Sequence, residues 1–75
     1  NYAKNIEGVD VGVLFREQED GTVKIGFRSQ NADVAKIASK FGGGGHLRAS
    51  GCSLSSNLEE AVEIIIAAVR EEISG

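Results

Sequence analysis

Apolar and polar residues alternate most clearly over 23–28, where Lys24, Gly26 and Arg28 separate Val23, Ile25 and Phe27. A period of two puts the apolar side chains on one face of a half-buried strand and Lys24 and Arg28 on the other. Upstream, Val9 to Phe15 reads Val-Asp-Val-Gly-Val-Leu-Phe. This run is rich in β-branched residues and partly alternating, and it predicts a strand. Asp20-Gly21 between the two runs is a turn signal, so together they predict an antiparallel hairpin. The period then changes. Val34, Ile37, Ala38 and Phe41 recur at helical spacing after a polar stretch, Ser29 to Asp33, that offers several N-caps, which predicts a helix over 33–41. Ala49 to Leu54 returns as a third strand interrupted by Gly51. Ser56-Asn57-Leu58-Glu59 has capping-box form, with Ser56 as N-cap and Glu59 at N3. The helix it opens runs to Ile73. Its apolar stripe is Leu58, Val62, Ile65, Val69 and Ile73, widened by Ala61 and Ala68, and Glu59, Glu63, Arg70 and Glu71 lie opposite. The order β-β-α-β-α implies an α/β domain: a small mixed sheet with a β-hairpin and helices packed on it.

Composition sets the scale. With 75 residues, 41% apolar and 25% charged, residues 1–75 make one small globular domain. Such a domain buries only about 60% of its unfolded surface, so its core is thin. A single cysteine rules out an intrachain disulfide. No run approaches the ~18 apolar residues of a membrane span, and Asn1-Tyr2-Ala3-Lys4-Asn5 is not an apolar signal segment. A cytoplasmic domain is expected, with no membrane partner. The chain has no methionine and reads as a piece of a longer protein.

A net charge of −3 argues against a nucleic-acid binder, but the charge is unevenly placed. Residues 22–52 carry Lys24, Arg28, Lys36, Lys40 and Arg48 against Asp33 alone, whereas both ends are acidic. If these cations share a face they make a local positive field; otherwise they are solvated surface.

Gly42-Gly43-Gly44-Gly45-His46 is the most unusual stretch. Four glycines cost conformational entropy. They suit a backbone that a ligand approaches closely, where successive N–H groups cradle an anion. A short helical turn over His46 to Ser50 would place Gly44 and Gly45 at a helix N-terminus, with His46 and Arg48 beside the bound anion. The run also fits a C-cap followed by a connector. It is not a P-loop, which ends in Gly-Lys-Ser/Thr, and it lacks the third glycine of a dinucleotide fingerprint. Arg28-Ser29, where a strand ends, is a second candidate: arginine grips phosphate through two parallel hydrogen bonds and serine adds a donor. His46 and Cys52 are the only residues of their kinds, and no metal-ligand spacing exists. Cys52 reads as a small buried residue. Asp10, Asp33 and Glu59 do not pair for acid–base work.

The stretch FRSQNADVAKIASKFGGGGHLRASGC resembles the type 1 DHH-associated domain, the C-terminal partner of DHH phosphoesterases. The carrying residues are Arg28-Ser29, Asp33-Val34, Ile37-Ala38, Lys40-Phe41, the Gly42–His46 run and Ala49-Ser50-Gly51-Cys52. It is most like that of bacterial bifunctional oligoribonuclease/phosphoadenosine phosphate phosphatases. Related domains occur in single-strand-specific exonucleases, cyclic dinucleotide phosphodiesterases and alanyl-tRNA synthetases.

The resemblance implies that catalysis belongs to a preceding DHH domain of the same chain, with a two-metal centre, expected to be manganese, that activates water for phosphoester hydrolysis. This chain would bind substrate, short single-stranded RNA or a phosphonucleotide, without hydrolysing it. Arg28 and Ser29 would hold a phosphate or terminal nucleotide. Gly43, Gly44, Gly45, His46 and Arg48 would form the rest of the phosphate site. No cofactor is expected in this domain, and the resemblance implies a homodimer in the full-length protein. Ser50 departs from the pattern, since alanine is common there. Two other readings stand beside this one: a tRNA-binding accessory domain, and a structural domain whose glycine loop packs on a neighbour.

Overall fold

A computed structural model describes residues 1–6 and 8–74. The chain order is β1 (Tyr2–Ile6), β2 (Val11–Glu17), β3 (Val23–Arg28), α1 (Val34–Ser39), β4 (Gly44–His46), β5 (Ala49–Leu54) and α2 (Leu58–Ser74). The five strands form one sheet in the order β1-β2-β3-β5-β4. Every neighbouring pair is antiparallel, where a mixed sheet was expected. The topology supplies the reason. β3, α1 and β4 make a crossover whose two strands run the same way, but β5 inserts between them and turns each pairing antiparallel.

Alternation along β2 and β3 sorts the side chains as the pattern requires. Val11, Val13, Phe15, Val23, Ile25 and Phe27 are buried, and Cys52 of β5 joins them. Both helices cover this face. α1 contributes Val34, Ile37 and Ala38, and α2 contributes Ala61, Ile65 and Val69, all fully buried. Each large apolar side chain so removed from water contributes about 1.5–3 kcal/mol before chain entropy is counted. Among the described residues, no layer covers the opposite face of the sheet. There Leu14 is 43% exposed and Lys24, Gly26 and Arg28 lie open.

Several boundaries differ from the sequence reading. β1 is an unforeseen strand, added at the edge with Ile6 opposite Val11. The first helix is shorter than 33–41: Asp33 is its N-cap, accepting from the Lys36 N–H at 3.1 Å, and it ends at Ser39. α2 is capped by Asn57, whose Oδ1 accepts from the Glu60 N–H at 2.8 Å. The cap therefore sits one residue beyond Ser56, whose hydroxyl instead donates to the Asn57 carbonyl. Ile73, expected on the buried stripe, is 39% exposed. α1 and α2 are tied by Glu72, which meets Lys36 at 3.1 Å and Lys40 at 2.9 Å. Hydrogen bonds from Lys40 and then Lys36 hold the Glu72 carboxyl below its ordinary value. Among the described residues, no helix is long and apolar enough to cross a membrane.

Candidate functional site

The glycine run has two structural halves. The first closes α1: the Gly43 N–H donates to the Ala38 carbonyl at 3.0 Å and the Gly42 N–H to the Ser39 carbonyl at 3.2 Å. With Gly42 at φ +79°, this is the Schellman arrangement that ends many helices. The second half is β4, an edge strand paired with β5. The helical turn expected over His46 to Ser50 is absent; a two-residue turn, Leu47-Arg48, joins the strands instead. The four N–H groups therefore do not converge into one cradle. That of Gly43 is already bonded, and along β4 successive N–H groups point alternately toward β5 and out from the unpaired edge.

Packing explains two of the four glycines and backbone conformation a third. A Cβ on Gly43 would strike the Gly51 carbonyl and come within 2.7 Å of Cys52 Cβ. One on Gly45, at φ +146°, would lie 2.6 Å from Ser50 Cα. Gly42 needs its positive φ. Only Gly44 has an ordinary φ and open space where a Cβ would stand.

The two candidate segments are joined by hydrogen bonds. The Leu47-Arg48 turn uses no positive φ at either residue, so it lacks the geometry that two-residue hairpins favour. It is held from outside. The Ser29 N–H donates to the Arg48 carbonyl at 3.1 Å, the Val34 N–H to the Leu47 carbonyl at 2.8 Å, and Arg48 Nη1 to the Ala32 carbonyl at 2.8 Å. Ser29 Oγ accepts from the Asn31 and Ala32 N–H groups at 3.2 and 2.9 Å, which leaves the hydroxyl proton to donate elsewhere. Asp10, unpaired in the sequence pattern, fastens the same loop: its Oδ2 accepts from the Gln30 N–H and from Asn31 Nδ2, both at 3.0 Å. Ser50, the departure from the family pattern, donates its hydroxyl to the Val34 carbonyl at 2.6 Å.

Register places the charged groups. Arg28 is opposite Ala49, and Ala49 is opposite His46. Directly paired residues share a face, so Arg28 and His46 both rise from the open side with only Ala49 between them. Two strand spacings put their backbones about 10 Å apart. Both are exposed, as is Arg48. A groove of about 1070 Å³ runs along this face past Asn5, Gly12, Arg28, Ser29 and Arg48. Cys52 lies beneath the sheet on the helix side, and burial pushes its thiol up to about 11, so it is not a thiolate at neutral pH. Among the described residues no group of three or more His, Cys, Asp or Glu side chains could hold a metal ion. The donors among the described residues do not fit a two-metal centre.

The family profile of the DHHA1 domain matches residues 1–75. The chain belongs to the DHHA1 family. This DHHA1 domain is 44% identical over 71 residues, 92% of its length, to the bifunctional oligoribonuclease and PAP phosphatase NrnA of Thermus thermophilus, covering 22% of that protein. It is 32% identical over 71 residues to the protein of the same name in Mycoplasma genitalium, 95% of this chain and 22% of the relative. With its namesake in Bacillus subtilis it shares 40% over 52 residues, 69% of this chain and 16% of the relative. The domain thus spans about a fifth of the length of these curated relatives.

Proposed function

We propose that this DHHA1 domain is the substrate-binding part of a cytoplasmic DHH-type phosphoesterase acting on short oligoribonucleotides or phosphonucleotides, and that it grips the substrate's phosphate end on the open sheet face. Arg28 supplies the bidentate grip. The Ser29 hydroxyl donates a further hydrogen bond. His46 and the outward Gly45 N–H of the β4 edge bind from the other side of Ala49, and Gly44 lets the ligand reach the backbone. Arg48 fixes the geometry by tethering the turn to Ala32. The observation that carries this reading is the single cross-strand row holding Arg28 and His46 on one exposed face.

Hydrolysis falls to the DHH domain of the same chain. Its metal pair would activate water and stabilise the leaving oxygen. Calorimetric titration with a 5′-phosphorylated diribonucleotide tests the proposal. His46→Ala should weaken binding about tenfold, the loss of one charge-assisted hydrogen bond, and Arg28→Ala, which removes two, about a hundredfold, with unchanged circular dichroism because both side chains are exposed. Affinity unaltered in both variants would refute it.

A further inference from the structure

The row of Arg28 and His46 occupies one end of the open face. The other end carries a pair of cations that phosphate-end binding does not use. Arg16 and Lys24 are directly opposite each other on β2 and β3, on the same face as Arg28, with Ser53 next in the row on β5. Like charges directly opposed across strands destabilise a sheet. Among the described residues neither forms a salt bridge. Glu17 alternates to the other face, and Asp20, whose Oδ1 accepts from the Thr22 N–H and hydroxyl, forms no salt bridge with either cation among the described residues. A groove of about 600 Å³ begins at Arg16 and Lys24 and has no acidic residue in its lining. At Leu14 and Gly26 it meets the groove that leads to Arg28 and Arg48.

We propose that Arg16 and Lys24 form a second phosphate subsite, holding the body of an RNA strand whose end is held at Arg28 and His46. This rests on the end-binding role proposed above. Lys24 and Arg28 are four residues apart on one strand, about 13 Å, so a phosphate seated directly over Arg28 is beyond the reach of Lys24. A strand of three or more nucleotides lying across Leu14 and Gly26 engages each with a different phosphate. The domain therefore favours oligonucleotides of that length over mononucleotides.

The test is fluorescence anisotropy of the chain with labelled 5′-phosphorylated oligoribonucleotides of one, two, three and five residues, at several salt concentrations. The variants are Arg16→Gln/Lys24→Gln and Arg28→Gln. The double variant should weaken the five-residue ligand about tenfold, flatten its log–log salt slope by about 0.7 for each phosphate no longer neutralised, and leave the mononucleotide unaffected. Arg28→Gln should weaken every length. Equal loss at all lengths in the double variant, or no loss at any, would overturn the subsite. So would wild-type binding of five residues no tighter than one, or polyglutamate competing as well as RNA. Should Arg28→Gln change nothing while the double variant weakens long ligands, end binding fails and the strand-body site stands.

Discussion

One methyl group added in turn at Gly42, Gly43, Gly44 and Gly45 separates what the fold requires from what a ligand requires. At Gly43 the new carbon would meet Cys52 Cβ at 2.7 Å and Cys52 Cα at 2.8 Å, besides the Gly51 carbonyl. These are sheet backbone and core atoms, so the strain cannot be relieved by a rotamer change, and overpacking of this kind costs about 1–3 kcal/mol or more. At Gly45 the nearest atoms are Ser50 Cα at 2.6 Å and the Ala49 carbonyl at 2.7 Å, with a comparable penalty. At Gly42 nothing lies within 4 Å, and only the left-handed backbone is penalised, by about 1–2 kcal/mol. Gly44 meets neither obstacle, so alanine there should stabilise the strand by about 0.5–1 kcal/mol. In a domain of this size each kcal/mol moves the melting temperature by about 4–8 °C. Thermal denaturation should therefore place Gly43→Ala and Gly45→Ala well below wild type, Gly42→Ala modestly below, and Gly44→Ala slightly above. Oligoribonucleotide titration of Gly44→Ala should show affinity reduced about tenfold, the packing penalty now falling on the ligand. A Gly44→Ala protein as unstable as Gly43→Ala would refute the packing account. One that is stable and binds like wild type would refute the ligand's close approach.

Other outcomes follow from interactions elsewhere in the fold. The Glu72 carboxyl lies below its ordinary 4.5, so its tie between the helices is fully present above that pH and is lost as pH falls through the depressed value; Glu72→Gln should flatten the melting temperature's dependence on pH below about 4.5. The Lys40 ammonium is raised above 10.5 by its hydrogen bond to Glu72, so its share is lost only as the solution becomes more alkaline than that. Cys52 should resist thiol alkylation in the folded chain at pH 7 and react promptly once urea unfolds it. Asn57→Ala should cost about 1 kcal/mol in denaturant titration through loss of the helix cap, and Ser56→Ala much less.

How legible the fold was depends on which residues had a face to declare. β3 matched its predicted bounds because Val23, Ile25 and Phe27 are buried while Lys24 and Arg28 are not. β1 left no such trace: only Ile6 of its five residues is buried, so Tyr-Ala-Lys-Asn has no alternation to read. β4 was hidden because Gly44 and Gly45 have poor strand propensity; pairing with β5 imposes the conformation. Ser56 and Asn57 are both competent caps, and which one reaches an N–H of the first turn is settled only in three dimensions. At the site, residue types alone marked Arg28, Ser29 and the Gly-His run. Their adjacency depends on β5 inserting beside β3, a long-range pairing that no local pattern encodes. The structural role of Gly43 and Gly45 was invisible for the same reason, since the atoms they must avoid belong to Ala49, Ser50, Gly51 and Cys52.

The most direct test is a ¹⁵N-resolved NMR titration of the chain with a 5′-phosphorylated oligoribonucleotide. Amide shifts should concentrate at Arg28, Ser29, Gly44, Gly45 and His46 and spread along the open sheet face, leaving α2 unmoved. Perturbations confined to the helix-covered side, or a spectrum that does not respond at all, would contradict phosphate recognition on that face.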